Sequence, residues 1–362
     1  MLQAIAVLMM MFHHFFMNPD SLTLLQYANV DLYTRISWMC RLCVALFAFI
    51  SGYGMHISED LTESPRTGDL YRKAFLRILR LYLIVWFSVL LFPYLSKIIL
   101  KAPTDLSELC GNAFGYFYTY DGSWWYISFY FLLCLTYPVI RILVTKSVSR
   151  KRKCILLAAI AAAVAILYGI AFLLGGLNFP YLMIALFFIK GAVHPAFYLC
   201  FLAGIFCAHI HFYDRILTLL HSWQGEKLSR RVITVILSSA LILILCILRI
   251  ILTVTPDYCK TDFLMVPFLV LGFSALDHAI TGESPRQNPI QKLFLFIGNY
   301  STGMWLIHVT ILSLTYFPLA PIIPSAFCFY LAEIILALIG SVIVTLPGLL
   351  IMKCFQRKKA SA

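Results

Sequence analysis

Charge is what this sequence lacks. Asp, Glu, Lys and Arg make up 12% of its 362 residues, whereas roughly 25% is usual in a soluble globular domain. Acidic residues are the scarcer kind, 16 against 28 Lys and Arg, for a net charge of +12. That excess does not point to nucleic acid, because the basic residues form short clusters between apolar runs, as membrane topology requires. The eleven cysteines show no metal-ligand spacing, so no metal is expected. Most of them lie in or beside apolar segments, where a thiol behaves as a small hydrophobe. Cys110 and Cys259 are the ones that fall in expected outer loops, and a disulfide between them is left open. The first segment ends in His13-His14-Phe15-Phe16 without a small-residue cleavage site, so it reads as a retained helix and not a signal peptide. There is no repeat of fixed period and no low-complexity tract. The longest polar stretches, near 57–77 and 101–123, are too short for a soluble domain.

What is present is apolar length. Hydrophobic residues account for 62% of the chain, more than a water-soluble core of this size can absorb. A bilayer takes about 20 apolar residues per spanning helix, and such runs recur at 1–17, 36–56, 78–96, 124–145, 154–175, 196–211, 232–254, 263–281, 294–317 and 326–352. The expectation is an all-α, polytopic membrane bundle of about ten transmembrane helices. It forms one domain over 1–353, followed by a basic tail over 354–362. With both termini placed in the cytoplasm, 21 of the 28 basic residues fall on the inner side and five on the outer side. That is the bias membrane insertion imposes. Phe179–Ile189 is apolar but short, the length of a re-entrant or interfacial piece.

Ionisable residues inside spans cost at least about 2.5 kcal/mol at mid-bilayer and mark functional candidates. His13, His14, Arg41, Arg249, His308 and Glu333 come from five helices, yet all fall toward the outer side. Trp124 and Trp125 enter a span at that level, with Asp257 and Asp262 in the neighbouring loop. An outward-facing polar cavity accounts for them together, although each alone reads equally well as an interfacial or snorkelling residue. On the inner side, Arg77 and Arg80 are three apart and share a helix face. Paired guanidinium groups suit phosphate, and a positive-inside flank is the plainer account of the same pair.

Several motifs, in order, resemble acyltransferase family 3, bacterial membrane enzymes that acylate sugars of the cell surface. Leu2 through Phe12-His13-His14 is similar to that family's first helix, in which a basic residue precedes a histidine by eleven positions. Here the histidine is His14 and the basic position is Gln3. Ser51-Gly52-Tyr53, Arg77-Ile78-Leu79-Arg80, Trp124-Trp125-Tyr126, Phe201-Leu202-Ala203-Gly204 and Ser301 through His308 resemble later signatures. The resemblance implies an acyl group, commonly acetyl, taken from cytoplasmic acyl-CoA and delivered to a hydroxyl of a sugar or glycan outside, at a bacterial plasma membrane. No tightly bound cofactor is expected, since acyl-CoA is the donor substrate. His14 is the expected general base or nucleophile, with His308 and Glu333 orienting it or relaying protons. Arg77 and Arg80 would hold CoA phosphates, and Arg41 or Arg249 an oxyanion, with Trp125 as a further candidate of the substrate site. Two other readings stay open: a transporter or flippase for a lipid or glycan, and an inactive scaffold, the latter raised by Gln3.

Overall fold

A computed structural model describes residues 1–17, 30–59, 66–99, 101–115, 117–145, 149, 151–152, 155, 195–222, 227–252, 261–281, 288–323 and 325–360. Every element among them is helical. In chain order they are α1 (Leu2–Met17), α2 (Val30–Cys40), α3 (Leu42–Ile57) and α4 (Thr67–Val89), which runs through a π-helical turn at Leu90–Tyr94 into α5 (Leu95–Ile99). Next come α6 (Leu106–Ala113), a 3-10 turn at Gly122–Trp124, α7 (Trp125–Val144), α8 (Pro195–His209) and α9 (Phe212–Ser222). The chain ends with α10 (Lys227–Leu252), α11 (Asp262–Thr281), α12 (Pro289–Leu319) and α13 (Ala326–Ala360). Helices are what a bilayer demands, because each backbone N–H and C=O must find its partner within the segment.

Seven helices among the described residues are long and apolar enough to cross a membrane, and an eighth is counted if α8 and α9, bent by 55° at their junction, form one span. The chain is thus built as a multi-pass membrane protein. α1, with 16 residues, is shorter than those spans. The expected span at 154–175 lies almost wholly outside the described residues, as does Phe179–Ile189. α13 continues to Ala360, so the basic tail expected from 354 begins as an extension of the last helix.

Two of the sequence motifs meet in space. A Cβ on Gly52 would sit 2.1 Å from the carbonyl oxygen of Phe201, and one on Gly204 would sit 2.1 Å from that of Phe49. α3 and α8 therefore touch backbone to backbone, a contact that small residues permit and that helps association in lipid, where no hydrophobic effect drives helices together. α1 is packed inside the bundle, with Ala4, Val7, Met11 and Phe15 fully buried. Tyr330 of α13 donates a hydrogen bond to Leu8 O at 2.9 Å, and Trp124 Nε1 donates to Leu306 O at 3.0 Å. By contrast α10 leaves Ile236, Leu243, Ile247 and Ile251 exposed, an apolar face suited to lipid.

The stretch near 101–123, expected as an outer polar loop, instead folds back along α4. Trp86 Nε1 donates to Ala113 O and Tyr82 OH to Phe114 O, both at 3.0 Å. Ser128 Oγ closes the other side on Gly115 O at 2.9 Å. Gly115 turns the chain there with φ +73°, a backbone region costly for residues with a Cβ. Periodicity could not reveal this hairpin, because what holds it to the bundle is tertiary: side-chain donors reaching its backbone carbonyls, and Lys97 of α5 pairing with Glu108.

The glycine contact makes a stability test. Gly204→Ala forces a Cβ against the Phe49 carbonyl and should cost about 1–3 kcal/mol, the usual range for overpacking. Gly68→Ala meets nothing within 4 Å and should be neutral or slightly stabilising. Thermal unfolding of the detergent-solubilised chain measures both, and equal midpoints would show that the close approach carries no stability.

Candidate active site

A cavity of about 690 Å³ runs between α1, α3, α4, α7 and α12. At one end it is lined by Gln3, Ser58, Arg77 and Arg80, and at the other by His13, His14, Arg41 and Ser123. Gln3 and His14 are eleven residues apart on α1, so the cavity follows that helix for about 16 Å at 1.5 Å per residue. The cation pair and the histidine cluster, read from the sequence as separate features, therefore share one space. Ser51, Tyr126, Tyr130 and Thr302 supply hydroxyl groups to its wall.

The two neighbouring histidines point differently, as adjacent helical positions must. His13 Nδ1 lies 2.8 Å from Ser37 O, and Ser37 Oγ donates back to His13 O at 2.9 Å. His13 thereby ties α1 to α2 as well as facing the cavity. The His14 ring lies 5.0 Å from that of His308, centroid to centroid. His308 is fully buried behind it, outside the cavity lining. Its Nδ1 lies 2.7 Å from Trp305 O; a carbonyl only accepts, so Nδ1 carries the proton and Nε2 the lone pair. That Nε2 has no hydrogen-bond partner among the described residues. The pair is thus a cavity-facing imidazole backed by a second imidazole of fixed tautomer, an arrangement able to accept and pass a proton.

Arg41 shares this end, its guanidinium 5.0 Å from the Trp38 ring centroid. Trp125 forms part of the wall and stacks on Phe197 at 5.9 Å and 25°. Asp121, just before the 3-10 turn, accepts from Ser123 N at 2.7 Å and so positions the cavity-lining Ser123. Burial raises its carboxyl pKa to about 7.

Besides His308, two candidates do not line the cavity. Arg249 is fully buried against Asp262, with Nε–Oδ1 at 3.1 Å and Nη2–Oδ2 at 3.2 Å. The pair ties α10 to α11, and the guanidinium does not line the cavity. Glu333 is buried on α13, one turn from Tyr330, and neither carboxyl oxygen has a hydrogen-bond partner among the described residues. It does not line the cavity either. Shared depth brought both into the set, but depth along the bundle axis says nothing about which way a helix turns the residue. Asp257 lies outside the described residues.

At the basic end Arg77 Nη2 donates to Ser58 Oγ at 2.8 Å and to Glu59 Oε1 at 3.1 Å. The other oxygen of Glu59 takes Lys73 Nζ at 2.5 Å. Arg80 is exposed, lines the cavity and has no ion-pair partner among the described residues. Gln3 packs on Gly298 beside Asn299. Glu59 escaped the sequence reading, although it is the acidic residue next to the end of α3 and faces the basic start of α4. Among the described residues no group of three or more His, Cys, Asp or Glu side chains could hold a metal.

Comparison with known proteins adds one match. A family model described as an acyltransferase domain matches residues 1–346. No curated protein and no solved structure gives a match.

The Arg249–Asp262 pair has a distinctive signature. Replacing one partner strands a buried charge and should cost about 3–5 kcal/mol, whereas an apolar pair of similar volume is often tolerated. Asp262→Leu alone should lower the thermal midpoint sharply, and Arg249→Met with Asp262→Leu should recover most of it. Loss of acyl transfer in a well-folded double variant would instead return Arg249 to the site.

Proposed function

The chain belongs to acyltransferase family 3, and on that premise we propose that it moves an acyl group, in the simplest case acetyl, from cytoplasmic acyl-CoA to a hydroxyl of a cell-surface glycan. Membership makes it a membrane acyltransferase; donor, acceptor and membrane are the proposal. The observation that carries it is the single cavity with a cationic end and a histidine end. The charge bias of the sequence supports a cytoplasmic position for the Arg77 and Arg80 end, on the side where acyl-CoA is found. There the two guanidinium groups face the donor's phosphates. The pantetheine arm, a linear chain ending in the thioester, then lies along α1, with the acyl carbon toward His14.

Chemistry at the far end needs a base and a stabilised oxyanion. His14 removes the proton from the acceptor hydroxyl as that oxygen attacks the thioester carbon. The carbonyl becomes an oxyanion that the Arg41 guanidinium can stabilise. The intermediate collapses by expelling the CoA thiolate, which takes the proton back from the imidazolium. His308 accepts a hydrogen bond or proton from His14 through Nε2 and so sets its orientation. A route in which His14 itself carries the acyl group uses the same residues. Trp125 offers a flat apolar face for a sugar ring. Under this reading Arg249 and Glu333 have structural roles.

The test follows labelled acetyl from acetyl-CoA into surface glycan in membranes carrying the protein. Wild type should incorporate label, and His14→Ala at equal expression should lose it by a factor of at least about 100, in line with loss of general-base catalysis. Loss of the protein itself would make His14 structural. Passage of unmodified solute without acyl-CoA consumption would make the chain a carrier.

A further inference from the structure

The proposed donor end contains one charge that a donor site does not obviously need. Glu59 is 1% exposed and sits amid cations that would otherwise be available to phosphate. Basic residues at a membrane flank reach the headgroups without an acidic partner, and burying a carboxylate has a desolvation cost. If the cluster served only to attract anions, Glu59 would work against it by cancelling a positive charge.

Its geometry suggests a different role. Each carboxylate oxygen takes a different cation of α4, Oε2 for Lys73 and Oε1 for Arg77. The same Arg77 nitrogen is also held by Ser58 Oγ, and the guanidinium lies 6.0 Å from the Tyr137 ring centroid. Arg77 is therefore fixed through one nitrogen on its α3 side. Its Nε and Nη1 make no hydrogen bond among the described residues. Arg80, one turn on, is exposed and has no ion-pair partner among the described residues. A guanidinium carries five N–H donors in a planar fork, so pinning one nitrogen orients the rest, while Arg80 stays able to adapt. Fixing a side chain beforehand removes part of the ordering cost of binding.

We infer that Glu59 is a positioning residue: with Ser58 it holds the Arg77 guanidinium against the cavity mouth so that its remaining donors meet the phosphates of the acyl donor. This rests on the donor reading given above. It predicts a sign that charge alone does not. Glu59→Asp keeps the charge but shortens the reach, so a positioning role loses donor affinity where a counter-ion role keeps it. Glu59→Gln removes the opposing charge, so a mere counter-ion, once removed, would let coenzyme A bind more tightly.

The measurement is the dissociation constant of coenzyme A with the purified, detergent-solubilised full chain, together with donor KM and kcat in acetyl transfer. Glu59→Asp should weaken coenzyme A by about tenfold and Ser58→Ala by about threefold, the scale of losing one immobilised side chain. Donor KM should rise in step, with kcat and acceptor KM within about twofold of wild type. A Glu59→Asp variant that binds like wild type, or a Glu59→Gln variant that binds more tightly, overturns the proposal. A fall in kcat at unchanged donor KM also overturns it. Should Glu59→Asp fail to fold, Ser58→Ala decides alone. Arg80→Ala separates the two levels of the argument. If it loses coenzyme A while the Glu59 and Ser58 variants match wild type, only the positioning role falls. If wild type and Arg80→Ala bind alike, the donor reading of this end falls, and the positioning role with it.

Discussion

The close approach of α3 to α8 is the constraint on which the site depends. Gly52 and Gly204 let the two backbones meet, so one face of α3 is spent on packing, with Phe49 and Gly52 against α8. Its opposite face is then turned to the cavity at Val44, Phe47, Ser51, Met55 and Ser58, the spacing of a single helical stripe. Arg41 lies just before that helix at the histidine end, and Ser58 just after it at the basic end. A bulkier residue at either glycine would push α3 toward α1 and narrow the space between them.

Charge inside this bundle is handled in three ways, and the differences separate structure from chemistry. Arg249 and Asp262 neutralise each other in the dry interior, a pairing that strongly penalises loss of one partner. Lys73, Glu59 and Arg77 form a cluster that carries one surplus positive charge among these three residues, which under the proposed reading a donor phosphate completes. His14 and His308 carry no permanent charge, and the buried one is held in a single tautomer by a backbone carbonyl. The ion-paired groups are held in place, while under the proposed reading the imidazoles are the groups that exchange protons. Glu333 fits neither scheme: it is buried without a hydrogen-bond partner among the described residues, and nothing in its surroundings explains why a carboxyl stands there.

Much of this was legible in the sequence because lipid simplifies the code. Apolar runs of about 20 residues announce spans, and α7, α10, α11, α12 and α13 lie close to where hydropathy puts them. His14, Arg41, Trp125, Arg77 and Arg80 were identifiable, since each is a polar or amphipathic group in or beside an apolar segment, and all line the cavity. What stayed hidden depends on azimuth and on tertiary partners. Arg249 and His14 stand at similar depths, but only rotation about the helix axis decides that one meets Asp262 and the other the cavity. The fold-back at 106–115 stayed hidden because its anchors, Tyr82, Trp86 and Ser128, look like ordinary span residues. Glu59 looks like a loop acid until α3 and α4 are brought together.

Location also decides what Gln3 means. In family 3 a basic residue stands eleven positions before the histidine, and its replacement by a carboxamide is the ground for reading the chain as inactive. Gln3 lies at the opposite end of the cavity from His14, beside Gly298 and Asn299 and on the side of Arg77 and Arg80. Some 16 Å of helix separates it from the imidazole, too far for a side chain at that position to enter proton transfer there. Under the proposed reading the substitution removes one of several positive groups around the donor's head. A carboxamide still donates and accepts hydrogen bonds at that position. The change bears on how tightly, or which, donor is held, and leaves the histidine pair as it was; absence of a cation at Gln3 is therefore no argument against catalysis at His14.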